Sequence, residues 1–282
     1  MTAPLSIVAG ELGINVVADA SGRTRATSLR QCYPQRVTMP LRCDPDHPGA
    51  ATLCVQSPSG GAFSDDELRT TVRCHPGTHL HLTTQAATQV FAGHGPGARH
   101  QLSFSVLAGA VLEYYPGTVI PHAGATFCQR LDVDVARGGV YFGWEAVAAG
   151  RIAHGERFGY DCYDSAFVVR VDGRPVGRDR QVIRPRTAGV GGCLIEGDYL
   201  ATFVAVAPGR AVDGLLAEVR RILIGLDDCR GGAGRLPADT GVFVRLGARH
   251  APALQRARRA LFHASRAALL PVIHSSAESS EK

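Results

Sequence analysis

The sequence predicts a mainly β protein, a β-helix-like or stacked antiparallel β-body with two amphipathic helices near its C-terminus. Three observations carry this prediction. Period-two alternation or β-branched enrichment fills most of residues 5–210. Gly, Pro, Asp and Ser clusters interrupt it often. After residue 210 the apolar period changes from that of a strand to that of a helix.

The strand-like segments are LCVQSP (53–58), LRTTVRC (68–74), THLHLTT (78–84), HQLSFSVLAGAVLEYYP (100–116), TFCQRLDVDVA (126–136), GVYFGWEAV (139–147), SAFVVRVDG (165–173) and YLATFVAVAP (199–208). Such residues suit a pleated surface buried on one or both faces. The breaks SPSGGAFSDD, GHGPGAR, VDGRPVG and TAGVGG supply turn residues. No exact repeat of fixed period runs through the segments. A sandwich and a solenoid-like stack therefore both remain open. In AVDGLLAEVRRILIGL (211–226) the apolar residues fall at 215, 216, 219, 222, 223 and 226, one helix face. DDCRGGAGRLPADTG (227–241) reads as a loop and VFVRLG (242–247) as a strand. The segment 251–270 repeats the helical spacing, with Pro252 in its first turn. Residues 275–282, SSAESSEK, have the composition of a disordered tail.

Composition narrows the class. A chain of 282 residues, 45% apolar, is long enough to bury a large core. The net charge is +5: residues 1–200 hold 18 Arg and 18 acids, while residues 201–282 hold 12 cations and 7 acids. No basic stripe is interleaved with aromatics, which argues against nucleic acid as a partner. Arg256, Arg258 and Arg259 read as a solvated helix face. The eight cysteines form no C-x-x-C pair and read as reduced thiols of a cytoplasmic protein. Residues 1–20 lack a basic n-region, and Glu11 interrupts their apolar run, which argues against a signal peptide. No apolar stretch is long enough to span a membrane as a helix.

His79 and His81 lie two apart, so on a strand they share a face. Imidazole suits nickel, copper and zinc, and with one acid the pair would make a metal-dependent β-barrel enzyme. Two ligands alone fix no tight site, and two surface histidines on one strand are the plainer alternative. Glu113 stands between the apolar run SVLAGAVL and two tyrosines. A carboxylate there is expected to be buried, and hence paired or functional. Asp65, Asp66, Glu67 and Glu156 stand near glycines, where acids cap turns or are solvated. G-x-S-x-G, P-loop, dinucleotide and H-E-x-x-H motifs are all missing, so no self-contained catalytic site is expected.

Four segments in fixed order resemble the UreD (UreH) family of urease accessory proteins. They are SPSGGAFSDDELRTTV, HLTTQAATQVF, AGAVLEYYPGTVIPHAGA and AGRIAHGERF. The similarity covers roughly residues 20–265. It implies a single domain over 1–274, with the β-body at about 5–210 and a mixed helical part at about 211–272. It also implies a non-enzymatic scaffold of urease maturation with a β-helix-like fold. Such a scaffold binds a UreF-like accessory protein, which brings a UreG-like GTPase, and contacts urease apoprotein. It holds no tight cofactor and conducts nickel in transit through an internal tunnel. By position, Asp66, Glu113 and Glu156 match the family's acids and become candidates for the nickel path. Thr83, Thr84 and Thr88 become candidates to line it with weak oxygen ligands. Gln89 stands where the family usually has lysine, Phe91 where it has tyrosine, and Asp65 where it has glycine. The Arg-Ile-Trp that often ends the family is missing from LLPVIHSS.

Overall fold

The computed structural model describes residues 10–185 and 197–270. The TAGVGG break and the 275–282 tail lie outside these residues. Strands β1 (Glu11–Ala18), β2 (Thr24–Gln31) and β3 (Arg36–Val37) open the described chain. Three coils of three strands follow: β4 (Ala51–Gln56), β5 (Gly61–Ala62) and β6 (Glu67–Cys74); β7 (His79–Thr84), β8 (Thr88–Val90) and β9 (Ala98–Val106); β10 (Val111–Tyr115), β11 (Val119–Pro121) and β12 (Thr126–Val135). A fourth coil has β13 (Val140–Ala148) and β14 (Cys162–Val171), with a 3₁₀ turn at Ile152–His154 between them. The described residues close with β15 (Arg174–Ile183), β16 (Tyr199–Val206), α1 (Asp213–Gly225), β17 (Cys229–Arg235), β18 (Gly241–Ala248) and α2 (Ala251–Leu269).

The coils stack in register. Ala51, Leu80, Leu112 and Tyr141 form one row of the first sheet, each on the next parallel strand. Thr70, Leu102, Leu131 and Phe167 form the matching row of the second. Alternation has a period of two whichever way the neighbouring strand runs, so it does not reveal this parallel centre. Antiparallel pairs lie at the ends of the stack: β1 with β2, β14 with β15, and β13 with β16, β18 and β17 in turn. The stack is thus solenoid-like, and the antiparallel reading holds only for its flanks.

Each strand sends alternate side chains inward. Leu12, Leu53, Leu80, Leu102, Leu112 and Leu131 pack between the two sheets. The outer face of the first sheet carries a second core. There Tyr115, Phe142, Trp144 and Phe203 meet Leu215 and Val219 of α1 and Leu254, Ala257 and Leu261 of α2. β13 lies between both cores, and its run VYFGWEAVA is rich in large apolar residues on both faces for that reason, with Glu145 the one acid among them. Val90, Val119, Phe127 and Tyr160 fill a third cluster at the corner of the coils.

Both helices fall where the apolar spacing places them. In α2, the His250 side chain accepts a hydrogen bond from the Ala253 N–H, with Pro252 in the first turn. β17 departs from its expectation as a loop. Its CRGGAGR run has little strand preference, and pairing with β18 over its whole length imposes the extended form. Among the described residues no helix is long and apolar enough to cross a membrane.

Candidate functional site

β7 and β10 are parallel neighbours with His81 in register with Glu113. Leu80, Leu82, Leu112 and Tyr114 turn into the stack. Alternation then sends His79, His81, Glu113 and Tyr115 to the outer face, beneath α2. Glu113 is 0% exposed. Its Oε1 accepts from His79 Nε2 at 3.0 Å and from Arg266 Nε at 2.8 Å. Its Oε2 accepts from His81 Nδ1 at 2.9 Å and from Arg266 Nη2 at 2.7 Å. Burial alone would raise the Glu113 pKa, but the bonds from His79, His81 and Arg266 hold it well below the usual carboxylate range. Arg266 also pairs with Asp44 at 2.6 Å and lies 4.3 Å above the Phe262 ring. His47 packs against His79 with ring centroids 4.8 Å apart.

The predicted burial and pairing of Glu113 hold, as does the shared face of the two histidines. Their chemistry is that of an anchor. Four donors occupy the four lone-pair directions of the carboxylate and tie α2 to the second and third coils. Among the described residues no group of three or more His, Cys, Asp or Glu side chains is arranged to hold a metal ion. The sheets are open at their ends, not closed as a barrel. The β-barrel enzyme built on His79 and His81 therefore lacks both its barrel and its ligand cluster here. Sequence spacing missed Arg266 and Asp44, since nothing local links them to Glu113. Arg258, expected to be solvated, instead donates to the Tyr115 carbonyl at 2.6 Å, while Arg256 and Arg259 are exposed.

Asp66 and Glu156 do not join Glu113. Asp66 accepts from the Phe63 N–H at 2.8 Å and caps a turn. Glu156 pairs with Arg151, which lowers its pKa, and lies 3.4 Å from the Ala123 N–H. The Thr83 hydroxyl donates to the Tyr115 carbonyl at 2.8 Å. That of Thr84 donates to the Ala86 carbonyl and accepts from the Gly117 N–H, both at 2.8 Å. Thr88 begins β8, in register with Val119. These threonines lie at turns and strand ends, and the hydroxyls of Thr83 and Thr84 bond the backbone of their own or the next coil. Gln89 meets His122 at 2.8 Å, and Phe91 stacks on Phe63 at 4.8 Å, so both departures from the family pattern fit one corner.

Inside the stack, one stratum is polar. His100, Gln129, Ser165 and Gln181 form a register row across four neighbouring strands. At its head the His100 ring bonds the Thr70 hydroxyl at 2.9 Å, which donates to Gln35 at 2.8 Å. Burial pushes the His100 pKa down to about 4, so its ring is neutral at physiological pH. His100 also lines a surface groove of about 480 Å³ with Arg69, Pro96 and Thr126. The opposite sheet contributes Glu145 and Thr202, in register with each other. Gln129 donates to Glu145 Oε1 at 2.5 Å and Ser165 to Oε2 at 3.2 Å. Gln181 donates to Thr202 at 2.8 Å, and Arg245 reaches Asp179 at the far end. Burial raises the Glu145 pKa to about 7, and the bonds from Ser165 and Gln129 only partly offset this. The Tyr141 hydroxyl, on a side chain 1% exposed, has no hydrogen-bond partner among the described residues. It sits over Gly143, where an added Cβ would come within 2.5 Å of it. This row escaped the motif reading, although Glu145 carries a signal. Glu145 is the lone acid in GVYFGWEAV and shares the parity of Tyr141.

Comparison with known proteins bears on both sites. The model of the UreD urease accessory protein family matches residues 9–276. Urease accessory protein UreD of Mycolicibacterium gilvum is 67% identical over 271 residues, covering 96% of this chain and 98% of that protein. Urease accessory protein UreD 2 of Streptomyces griseus is 33% identical, covering 80% and 78%. Urease accessory protein UreD of Cenarchaeum symbiosum is 30% identical, covering 84% and 86%. A match of this length and strength makes the chain a member of the UreD family of urease accessory proteins.

Proposed function

We propose that the chain serves urease maturation as a non-catalytic scaffold in the cytoplasm. It joins a UreF-like accessory protein, and through it a UreG-like GTPase, to urease apoprotein, and it conducts nickel toward the urease active site. Family membership supports the urease part of this reading. The polar row from Gln35 to Asp179, inside an otherwise apolar stack, is the observation that carries the conduction part. Hydroxyl, amide and single-carboxylate donors at strand intervals release a hydrated ion readily, whereas a thiolate and imidazole cluster would trap it. Nickel is cargo here and no resident cofactor is required. The path follows this row and leaves Glu113 to its anchoring role.

Co-purification tests the scaffold. The tagged chain is expressed with the urease subunits and the UreF-like and UreG-like proteins of the same organism. The expected result is stoichiometric recovery of the UreF-like protein. Elution of the chain alone, carrying a bound metal, would replace the scaffold with a metalloprotein reading.

A further inference from the structure

We propose that β17 is an open docking edge: its outward backbone groups, and the groove it forms with α1, take an extended segment of a partner protein that carries an apolar and an acidic residue two positions apart. This face is separate from the interior row, and the inference does not depend on nickel conduction.

The backbone supplies the first argument. β17 stands at the end of the first sheet, and β18 is its one strand neighbour among the described residues. The Arg249 N–H donates to the Asp228 carbonyl at one end of this pair, and the Leu236 N–H to the Gly241 carbonyl at the other. Antiparallel alternation then turns the backbone groups of residues 230, 232 and 234 toward β18. Those of Cys229, Gly231, Ala233 and Arg235 face the open edge. Arg220 of α1 donates to the Ala233 carbonyl, which fits that direction. The other sheet edges are guarded in the ways that keep strands from adding. β3 is two residues long. β2 and β15 each carry a bulge, where the pairing skips Thr27 and Val176. β17 pairs without a shift and contains no proline. Its middle, Gly231 to Gly234, raises no wall of side chains against an incoming strand.

The groove supplies the second argument. α1 runs beside β17 in the opposite sense, with Arg235 reaching Asp213 and Arg220 reaching Ala233. Arg220, Leu223 and Ile224 line a groove of about 520 Å³ with Cys229, Gly231 and Ala233. Ile224 is 87% exposed, the most exposed large apolar side chain among the described residues. Acids of the flanking segments already face cations: Glu218 pairs with Arg221, Asp213 and Asp239 with Arg235, and Asp228 with His250. No acid lines the groove among the described residues. Arg220 there bonds a carbonyl, and a carboxylate would give it a charge-assisted partner.

Spacing sets the pattern of the segment. Arg220 and Ile224 stand four residues apart, about 6 Å along the helix. Two positions along a strand span about 6.8 Å on one face. One side chain of the segment therefore meets Ile224, and the side chain two positions on meets Arg220. Main-chain bonds to the edge supply affinity, and these two contacts supply selection. A second copy of this chain fits less well, because pairing two β17 edges sets the arginine-lined grooves against each other.

The full chain is titrated with a labelled, end-blocked peptide, Thr-Thr-Ile-Thr-Glu-Thr-Thr, and followed by fluorescence anisotropy. Saturable binding is expected. Two versions of the peptide are methylated on alternate backbone nitrogens, one on each parity. One version is expected to lose about tenfold or more in affinity and the other to keep most of it, because one row of N–H groups faces β17. Arg220→Glu is expected to weaken binding about tenfold, and a peptide with lysine in place of its glutamate is expected to restore it. Ala233→Pro removes one outward N–H and is expected to weaken binding as well. Far-ultraviolet circular dichroism compares each variant with wild type. If Ala233→Pro is poorly folded, Arg220→Glu, on an exposed helix position, decides. No saturable binding by wild type, the same affinity for both methylated peptides, or wild-type affinity in Arg220→Glu overturns the docking edge. Self-association of wild type in sedimentation, abolished by Ala233→Pro, assigns the edge to a second copy and overturns the partner segment.

Discussion

Glu113 and Glu145 lie on neighbouring strands of one sheet and behave in opposite ways. Glu113 faces outward under α2, takes four donors and stays ionised. Glu145 faces inward, takes two neutral donors and has its pKa raised to about 7. Removing the first leaves Arg266 half-buried without its main partner. Glu113→Ala is expected to cost about 3–5 kcal/mol in urea denaturation. Replacing Glu113 by Gln, Arg266 by Met and Asp44 by Asn together is expected to cost less than that single change, because neither carboxylate of the cluster then loses its arginine. The second acid predicts a pH dependence. Its folded pKa lies above the ordinary glutamate value of 4.5, so the folded chain holds the proton more tightly than the unfolded chain. Stability from this group is therefore full below pH 4.5 and is lost as pH rises to about 7, by at most about 3 kcal/mol. Glu145→Gln should flatten that decline when melting temperature is measured across pH 5 to 8. Glu113 and Asp164, whose pKa values are lowered, act in the opposite sense and at lower pH. The burial of Glu113 was legible from the apolar run before it, and the shared face of His79 and His81 from their spacing. Arg266, 153 residues away, was not, because no local pattern encodes a contact made by folding.

At the level of elements, period was a reliable guide and direction was not. Both helices and the quoted alternating segments within the described residues formed where their spacing placed them, except that HQLSFSVLAGAVLEYYP, read as one run, splits at Leu107–Ala110 into β9 and β10 on different sheets, because its turn residues LAGA are themselves apolar. What the spacing left open was whether neighbouring strands run parallel, since either arrangement buries the same alternate residues. The short strands β5, β8 and β11 hide in turn-rich sequence, because two or three residues carry no period. β17 shows tertiary pairing overriding composition. Gly232 in that strand has open space where a Cβ would go. Gly232→Thr is expected to stabilise the protein by about 0.5–1 kcal/mol, since a β-branched residue loses less chain entropy in an extended strand. A rise in melting temperature of a few degrees would register it, whereas a fall would show that the bare backbone at 232 is needed for close approach.

For the whole molecule, the resemblance supplied the family and the structure redistributed the roles. The acids at family motif positions became a turn cap at Asp66, a helix anchor at Glu113 and a corner ion pair at Glu156. The interior row was invisible to motif reading, because its members come from both sheets and meet only once the coils are stacked. The anchor also has a consequence in time. A ribosome delivers the coils well before Arg266. While the chain is being made, the outer face that carries Tyr115, Phe142 and Trp144 stays bare, and Glu113 has only its two histidines. Coils that could stack early thus wait for the final helix to cover them, and through that interval the nascent protein depends on whatever shields its apolar flank.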